Sequence, residues 1–458
     1  MIQALLESAK GAWLEKSQLI HRIECQVEYI DFTALLHTVD DTEFSYYWQD
    51  RDSDYESLGL GSSDVHNGTD MATLGPLLDR LQQQLSGKGP RYRYLGGNRF
   101  NQESHQDPTW EPIYSFRYML PLLEYCKHDG QYYLAMYYRL SDFDSVDLLC
   151  EQLQEDFRRL TAAKERTSVT VDIESTTLSD KASVIQCITN AIHAIKQSDH
   201  LKKLVVAAKQ ELRFSNTIAA LQLAHHLIKS KQKVFRFIFR LANNAYFFGA
   251  SPESLFSIRD GRLYSEAIAG TRARSSDKQR DKALEQELRQ SSKDIHEHRY
   301  VHNMITSCLT SLSGQRIHKT EPEILKLEKL QHLLFNYDLP LENPLLLSDC
   351  IRLLHPTPAI VGLPKADSLA WISQHETHMD RGLYSGLVGW FSENENQSTV
   401  SIRSMLLKEQ HLHVFAGAGV LAGSDAESEW EEIQLKLASI LSALSSLSPL
   451  SSRELSRS

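Results

Sequence analysis

The chain has 458 residues, with 49 Lys+Arg against 59 Asp+Glu and a formal net charge of −10. At roughly 150 residues per domain this length holds about three domains, or one large elaborated unit. The acidic balance excludes a general nucleic-acid binder, which needs a basic footprint to displace counterions, and no apolar run approaches the roughly 18 residues of a membrane span.

The first residues, MIQALLESAKGAWLEK, carry Glu7 and lack both a basic leader region and a cleavage site. They read as a helix at a cytoplasmic start, not as a secretory signal. From Gln49 to Asp70 the chain is polar and turn-rich, with Asp50, Asp52 and Asp54. VDLLCEQLQEDFRRLTAAK, within 145–164, predicts an acidic connecting helix. KLVVAAKQELRF (203–214) is short, apolar and β-branched, as a buried strand should be. Ser215 and Asn216 can cap a helix running to Ile228. KVFRFIFR (233–240) and NAYFFGA (244–250) predict a hairpin around 241–243, and RLYSEAIAG (262–270) another strand. Asp277 to about Leu312 predicts one or two helices. STVSIRSMLL (398–407) and HVFAGAGVLAG (413–423) predict a second hairpin, followed by a helix from about Glu427 to Leu444. The Ser-rich remainder reads as disordered. Hairpins mixed with long helices indicate an α+β protein with antiparallel sheets. No Gly-rich phosphate loop opens any helix. The six cysteines are scattered without a CxxC pair, which suggests reduced thiols.

Several side chains stand out against this background. His298 and His302 have the i,i+4 spacing of zinc ligands, with His296 beside them, and HETH (375–378) is a near miss for a zinc motif. Neither forms HExxH, so hydrogen-bonded histidines are the favoured reading. Glu297 shares a helical stripe with Val301, Met304 and Cys308, where a carboxylate must be paired, protonated or bound to a cation. Glu432 and Lys436 flank the apolar stripe Ile433, Leu437, Leu441 and Leu444; by spacing alone they read as an exposed i,i+4 pair. Lys203 heads a strand apolar on both faces, where desolvation favours a neutral amine, although a strand-end lysine reaching water is the simpler reading. Arg403, mid-strand in VSIRSML, needs an acidic partner or an anionic ligand. FAGAGV (415–420) offers small residues after a strand, where a carboxylate can approach the backbone. Together these residues suggest a site for a small polycarboxylate with a hard cation.

The order of motifs then resembles a known family. GASPESL (249–255), SEAIAGTR (265–272), SSKDIHEH (291–298), HPTPAIVG (355–362), RGLYSGLVGW (381–390), SIRS (401–404), FAGAGV (415–420) and SEWEEIQLKL (428–437) are similar, block by block, to the chorismate-utilising enzymes. SYYWQDRDSDYESLGLG and YRYLGGNRFN resemble the isochorismate synthases of menaquinone biosynthesis within that family. The resemblance implies the fold of anthranilate synthase component I, a sandwich of antiparallel sheets with helices outside. Residues 1–175 would be integrated into that fold, 176–445 would form the chorismate-binding region, and 446–458 a disordered tail.

The resemblance also implies roles. Lys203 would be the base that activates water, and Glu253 the acid that protonates the departing C4 hydroxyl, which requires burial or nearby negative charge to keep it protonated. Glu297 and Glu432 would hold Mg²⁺. Arg403, Tyr384, Lys436, Gly417 and Gly419 would hold substrate oxygens, with His355 also in the binding site. Ile268, Ala269, Gly270 and Thr271 would shape the reacting edge. Ala359 stands where family members that use ammonia or eliminate pyruvate often carry Thr, which favours water addition and no glutaminase subunit. Ala208 replaces an Arg common in the family. LLES (5–8) echoes a tryptophan-feedback motif, but in a helical context. The rivals are an aminating synthase subunit, a salicylate synthase, siderophore supply in place of menaquinone, and a non-catalytic chorismate-binding regulator.

Overall fold

A computed structural model describes residues 1–14, 19–101, 107–111, 113–162, 173–216, 220–228, 233–241, 245–317, 321–327 and 329–442. Among these residues, two antiparallel sheets of twelve and nine strands carry the fold, and helices pack against them, an α+β arrangement. The larger sheet runs from Ile20–Val27 through Gln131–Arg139, Leu123–His128, Tyr55–Leu60 and Phe44–Gln49, then continues into Phe235–Arg240, Ala245–Ser251, Ser404–Lys408, His411–Val420 and Lys203–Phe214. The smaller sheet likewise joins early strands (Asp64–Gly68, Phe116–Leu120, Tyr94–Asn98) to late ones (Leu387–Phe391, Asn396–Val400, Ser254–Arg259, Arg262–Ala273, Leu330–Pro340). Phe44–Gln49 pairs with Phe235–Arg240, and Tyr94–Asn98 with Leu387–Phe391, so in both sheets a strand from the first third of the chain pairs directly with one from beyond its midpoint. The sheets face each other over one apolar cluster, with Trp48, Phe237, Phe247 and Phe415 from one and Leu95, Met119, Val388 and Trp390 from the other.

The elements follow from local chemistry. Ser145 caps Val146–Leu160 by accepting from Leu148 N, and Ser291 caps Ser292–Ser313 by accepting from Asp294 N. Asp277 to Leu312 forms two helices, Lys278–Gln290 and Ser292–Ser313, because Ser291 ends one and caps the next. The final helix, Ala426–Ser442, buries Ile433, Leu437 and Leu441 as its stripe requires. Position 444 and the tail lie outside the described residues, as do 217–219 and 242–244, where a helix start and a turn were expected.

Three expectations are corrected. The stretch from Gln49 to Asp70 holds two strands, Tyr55–Leu60 and Asp64–Gly68, because Tyr55, Leu58 and Leu60 bury apolar surface between neighbouring strands. Residues 398–407 are not one strand: Asn396–Val400 belongs to the smaller sheet and Ser404–Lys408 to the larger. Arg403 therefore sits on a crossing between sheets, at φ +50°. FAGAGV is no loop after a strand; it is the end of the strand His411–Val420, paired with Lys203–Phe214 from Leu204↔Val420 to Arg213↔His411.

Candidate active site

Two places where the chain passes from one sheet to the other lie side by side and build one wall of a cavity. At the first, Pro252 and Glu253 connect Ala245–Ser251 to Ser254–Arg259. At the second, 401–403 connects Asn396–Val400 to Ser404–Lys408. They are stapled together: Ser251 Oγ donates to Val400 O at 2.6 Å, Val400 N to Glu253 O at 3.2 Å, and Ala250 N to Arg403 O at 3.2 Å. Ser385, on the turn before Leu387–Phe391, also adopts a positive φ of 60°. Two non-glycine residues in this strained region lining one cavity mark a place where the fold holds side chains against local preference.

The cavity has about 790 Å³ of empty space, part of it open to solvent, and is lined by residues from every one of the late motifs. Of the residues singled out in the sequence, Glu253, Ile268, Ala269, Gly270, Thr271, Glu297, Ala359, Tyr384, Arg403, Gly417, Gly419, Glu432 and Lys436 all face it. Lys203 lies against two of the lining residues, Gly419 and Glu297. It is 0% exposed, and its Nζ donates to Glu297 Oε1 at 2.9 Å; the simpler reading of a lysine reaching water is overturned, because the strand is paired on both sides, with His411–Val420 and with Gly362–Leu363. His355 lies behind the lining, its Nε2 against Ser385 O at 3.1 Å, where burial drops it to about 4. The i,i+4 pair on the last helix is not a surface pair either. Lys436 Nζ contacts Glu432 Oε1 at 2.8 Å and donates to Gly417 O at 2.8 Å. Burial works against the Lys436 ammonium, but the charges of Glu432, Glu297 and Tyr384 with the Glu432 hydrogen bond together hold it above its ordinary value.

Glycine is required here for space. A Cβ on Gly419 would lie 2.9 Å from Lys203 Cε and 3.0 Å from Glu297 Cδ, so the lysine and the glutamate can meet only over a bare backbone. A Cβ on Gly417 would lie 3.0 Å from Val206 O and 3.1 Å from Tyr384 Oη.

Electrostatics separate the carboxyls. Burial, then the neighbouring Glu266 charge, push Glu253 up to about 8, against the pull of Lys203 and Lys436. Glu253 is therefore a proton donor at neutral pH. Glu432 is held below its ordinary value: burial alone would raise it, but Lys436 prevails. Burial lowers the Arg403 guanidinium to about 10, leaving it charged and without a carboxylate partner among the described residues.

Sequence reasoning overlooked His332. In the strand Leu330–Pro340, its Nδ1 lies 3.1 Å from Gly270 O and its Nε2 accepts from Arg403 Nη2 at 3.0 Å. That pattern requires a neutral ring with the proton on Nδ1, and burial, then Arg403, lower it to about 3. A single histidine inside the apolar run LQHLLF was the available signal. HETH also has a structural use: Arg381 bonds Glu376 through Nε at 2.6 Å and Nη2 at 2.7 Å, Glu376 accepts from Ala207 N, and Arg381 donates to Val205 O and Ile360 O. The pair braces the strand headed by Lys203. His298 and His302 are taken up by Ala267 O and Tyr337 Oη.

Glu297 and Glu432 bring carboxylates to one cavity from two helices, each contacted by a lysine Nζ. Glu429, one turn before Glu432, keeps its Oε2 buried with no hydrogen-bond partner. Oxygen donors without sulfur or imidazole suit Mg²⁺, which keeps several waters and needs only one or two protein carboxylates. Among the described residues no group of three or more His, Cys, Asp or Glu forms a ready cage, so water and substrate would complete the shell.

Comparison with known proteins adds the family. Over 415 residues the chain is 29% identical to isochorismate synthase 2, chloroplastic, of Arabidopsis thaliana, covering 85% of this chain and 73% of that one. Over another 415-residue match it is 29% identical to isochorismate synthase MenF of Escherichia coli, covering 87% of each. The solved structure of that enzyme superposes with a TM-score of 0.81 at 25% identity, over 96% of this chain and 100% of that chain. Anthranilate synthase component I of Streptococcus pneumoniae shares the fold, with a TM-score of 0.64 at 18% identity over 84% and 92% of the two chains. A family model for chorismate binding enzymes matches residues 5–445, which include every residue lining the cavity, and this protein belongs to that family.

Proposed function

We propose that this protein converts chorismate to isochorismate with Mg²⁺, in the cytoplasm, to supply menaquinone biosynthesis. The observation that carries the reading is a buried Lys203 whose Nζ touches Glu297 of the cavity lining, together with a carboxyl at Glu253 in the same lining that stays protonated up to about pH 8. Water adds at C2 of the ring: Lys203, which must be in its neutral form for this step, takes the proton from water through Nζ as the water oxygen bonds to carbon. The ring double bond shifts, the C4–O bond breaks, and Glu253 gives its proton to the departing hydroxyl. One water is consumed and one released, so the net change is an isomerisation. Arg403, held by His332, and Lys436 neutralise substrate oxygens, and Tyr384 with Gly417 and Gly419 shape their seat. Glu297 and Glu432 would hold Mg²⁺, which supplies positive charge for a substrate carboxylate when bound.

Ala359 in the lining supports water as the nucleophile, because the small side chain leaves room there and supplies no hydroxyl. No helix among the described residues is long and apolar enough to cross a membrane. The likeness to MenF over 87% of both chains supports the menaquinone branch over siderophore supply. The test is direct. Chorismate and Mg²⁺ are incubated with the protein, with and without ammonium, and the products are separated by chromatography. Isochorismate in equilibrium with chorismate, with no pyruvate released, is the expected result. Anthranilate, aminodeoxychorismate or salicylate would refute it.

A further inference from the structure

A corner between strands is a poor place to aim an acid unless its neighbours are held. The backbone oxygen of Glu253 is held on one side, by Thr399 Oγ1 at 2.5 Å and Val400 N at 3.2 Å. The residues flanking it are held on the other side by one pair of charges. Arg51, between the strands Phe44–Gln49 and Tyr55–Leu60, donates Nη1 to Pro252 O at 3.2 Å. The same guanidinium grips Glu266 with two nitrogens, Nη1 to Oε2 at 2.9 Å and Nη2 to Oε1. Glu266 Oε2 in turn accepts from Ser254 N at 3.3 Å. Neither Arg51 nor Glu266 lines the substrate cavity; both face a second, polar cavity with about 720 Å³ of empty space, which Ser254 also lines.

We propose that the Arg51–Glu266 pair is a positioning device for Glu253, clamping Pro252 and Ser254 and keeping a fixed negative charge behind the acid so that it meets the leaving hydroxyl as a donor. The inference rests on the isochorismate synthase reading. Bidentate Arg–carboxylate pairs are rigid enough for such a task, and the guanidinium is further seated over the Phe235 ring at 5.4 Å. The charges around Glu253 agree. Lys203 from its strand and Lys436 from the last helix favour its ionised form, and Glu266 is the carboxylate that opposes them. Asp50 and Arg259 face Glu266 from the rear cavity. The device also gives the first third of the chain a part in the chemistry, because Arg51 reaches the corner from 201 residues away in sequence.

The test is the pH dependence of kcat for isochorismate formation by the Mg²⁺-loaded protein. Glu266→Gln keeps the shape and removes the charge, so the alkaline limb moves down by about one pH unit. At pH 8 kcat falls roughly fivefold, as the protonated fraction drops from a half to about a tenth, with KM within about twofold of wild type. Arg51→Gln leaves the Glu266 charge uncovered and moves the limb up, while Arg51→Lys restores part of the wild-type profile. A purely structural pair would lower activity equally at every pH. Limbs that stay within about 0.2 unit of wild type in both variants, or that move the same way, overturn the proposal. If Glu266→Gln does not fold, Arg51→Gln decides alone, since its side chain is partly exposed. If the wild type makes no isochorismate, the functional reading fails; infrared titration of the Glu253 carboxyl in wild type and Glu266→Gln then still decides the positioning role.

Discussion

Replacing Gly419 by alanine probes the site at its tightest point. The added Cβ would lie 2.9 Å from Lys203 Cε and 3.0 Å from Glu297 Cδ, and nearer still to Glu297 Oε1. Carbon pairs rest about 3.5–4.0 Å apart, so each neighbour must retreat by roughly 0.5–1 Å. Lys203 has nowhere to go, because it is fully buried in a strand paired on both sides. Glu297 is the group that gives way, and the 2.9 Å contact to Lys203 opens with it. A misplacement of about 1 Å near the reacting atoms lowers kcat/KM about 100-fold, equivalent to about 2.7 kcal/mol of transition-state stabilisation. Gly417→Ala is the internal comparison. Its Cβ meets Val206 O and the Tyr384 hydroxyl at 3.0 and 3.1 Å, and the phenol can shift by tenths of an ångström, so the loss should be about tenfold or less. The assay is kcat/KM for isochorismate at saturating Mg²⁺, with circular dichroism to confirm the fold. Activity of Gly419→Ala within about threefold of wild type, or a larger loss for Gly417→Ala, would refute the reasoning.

Lys203→Ala should cut turnover by about 10²–10⁴-fold while the fold survives; near-normal activity, followed by product chromatography, would remove Lys203 as the base. Glu253 is raised to about 8, so the folded state favours its protonated form, and the stability this gives is lost as pH rises from its ordinary value through about 8. Glu253→Gln should therefore melt higher relative to wild type at pH 8 than at pH 5, and a constant difference in melting temperature would contradict the assigned shift. Removing Arg381 leaves Glu376 charged and buried behind the Lys203 strand, so Arg381→Met should lose about 3–5 kcal/mol in urea unfolding; a loss under about 1 kcal/mol would show that the brace carries little. Glu297→Gln should weaken Mg²⁺ binding measured by calorimetry at least about tenfold, and unchanged affinity would exclude it as a ligand.

Much of the site was legible because its residues sit in short blocks with strong local character. Lys203 at the head of a doubly apolar strand and Glu297 on an apolar stripe were both anomalies that burial makes expensive, and each proves to be the other's partner. Glu432 and Lys436 were misjudged for the opposite reason. Spacing of i,i+4 looks the same on an exposed face and on one turned toward a cavity, and only the packing of Ala426–Ser442 on His411–Val420 distinguishes them. The run from 398 to 407 reads as one strand because alternation persists across it, yet Ser401–Arg403 carries the chain from one sheet to the other. His332 gave only the weak signal of one polar residue in an apolar run.

By itself the sequence determined the α+β class, the main strands and helices, and the residue types a dianion and a hard cation require, since periodicity, capping and charge are local properties. Net charge described the surface and was silent about the cavity, which Arg403 and Lys436 line and Lys203 adjoins despite a total of −10. Tertiary structure alone decided which carboxyl keeps its proton. Glu253, Glu297 and Glu432 are the same side chain in sequence. Burial beside Glu266 raises the first, while the second and third each have a lysine Nζ in contact. The free energy of a charge depends on what surrounds it, and residues up to about 200 positions away supply those surroundings.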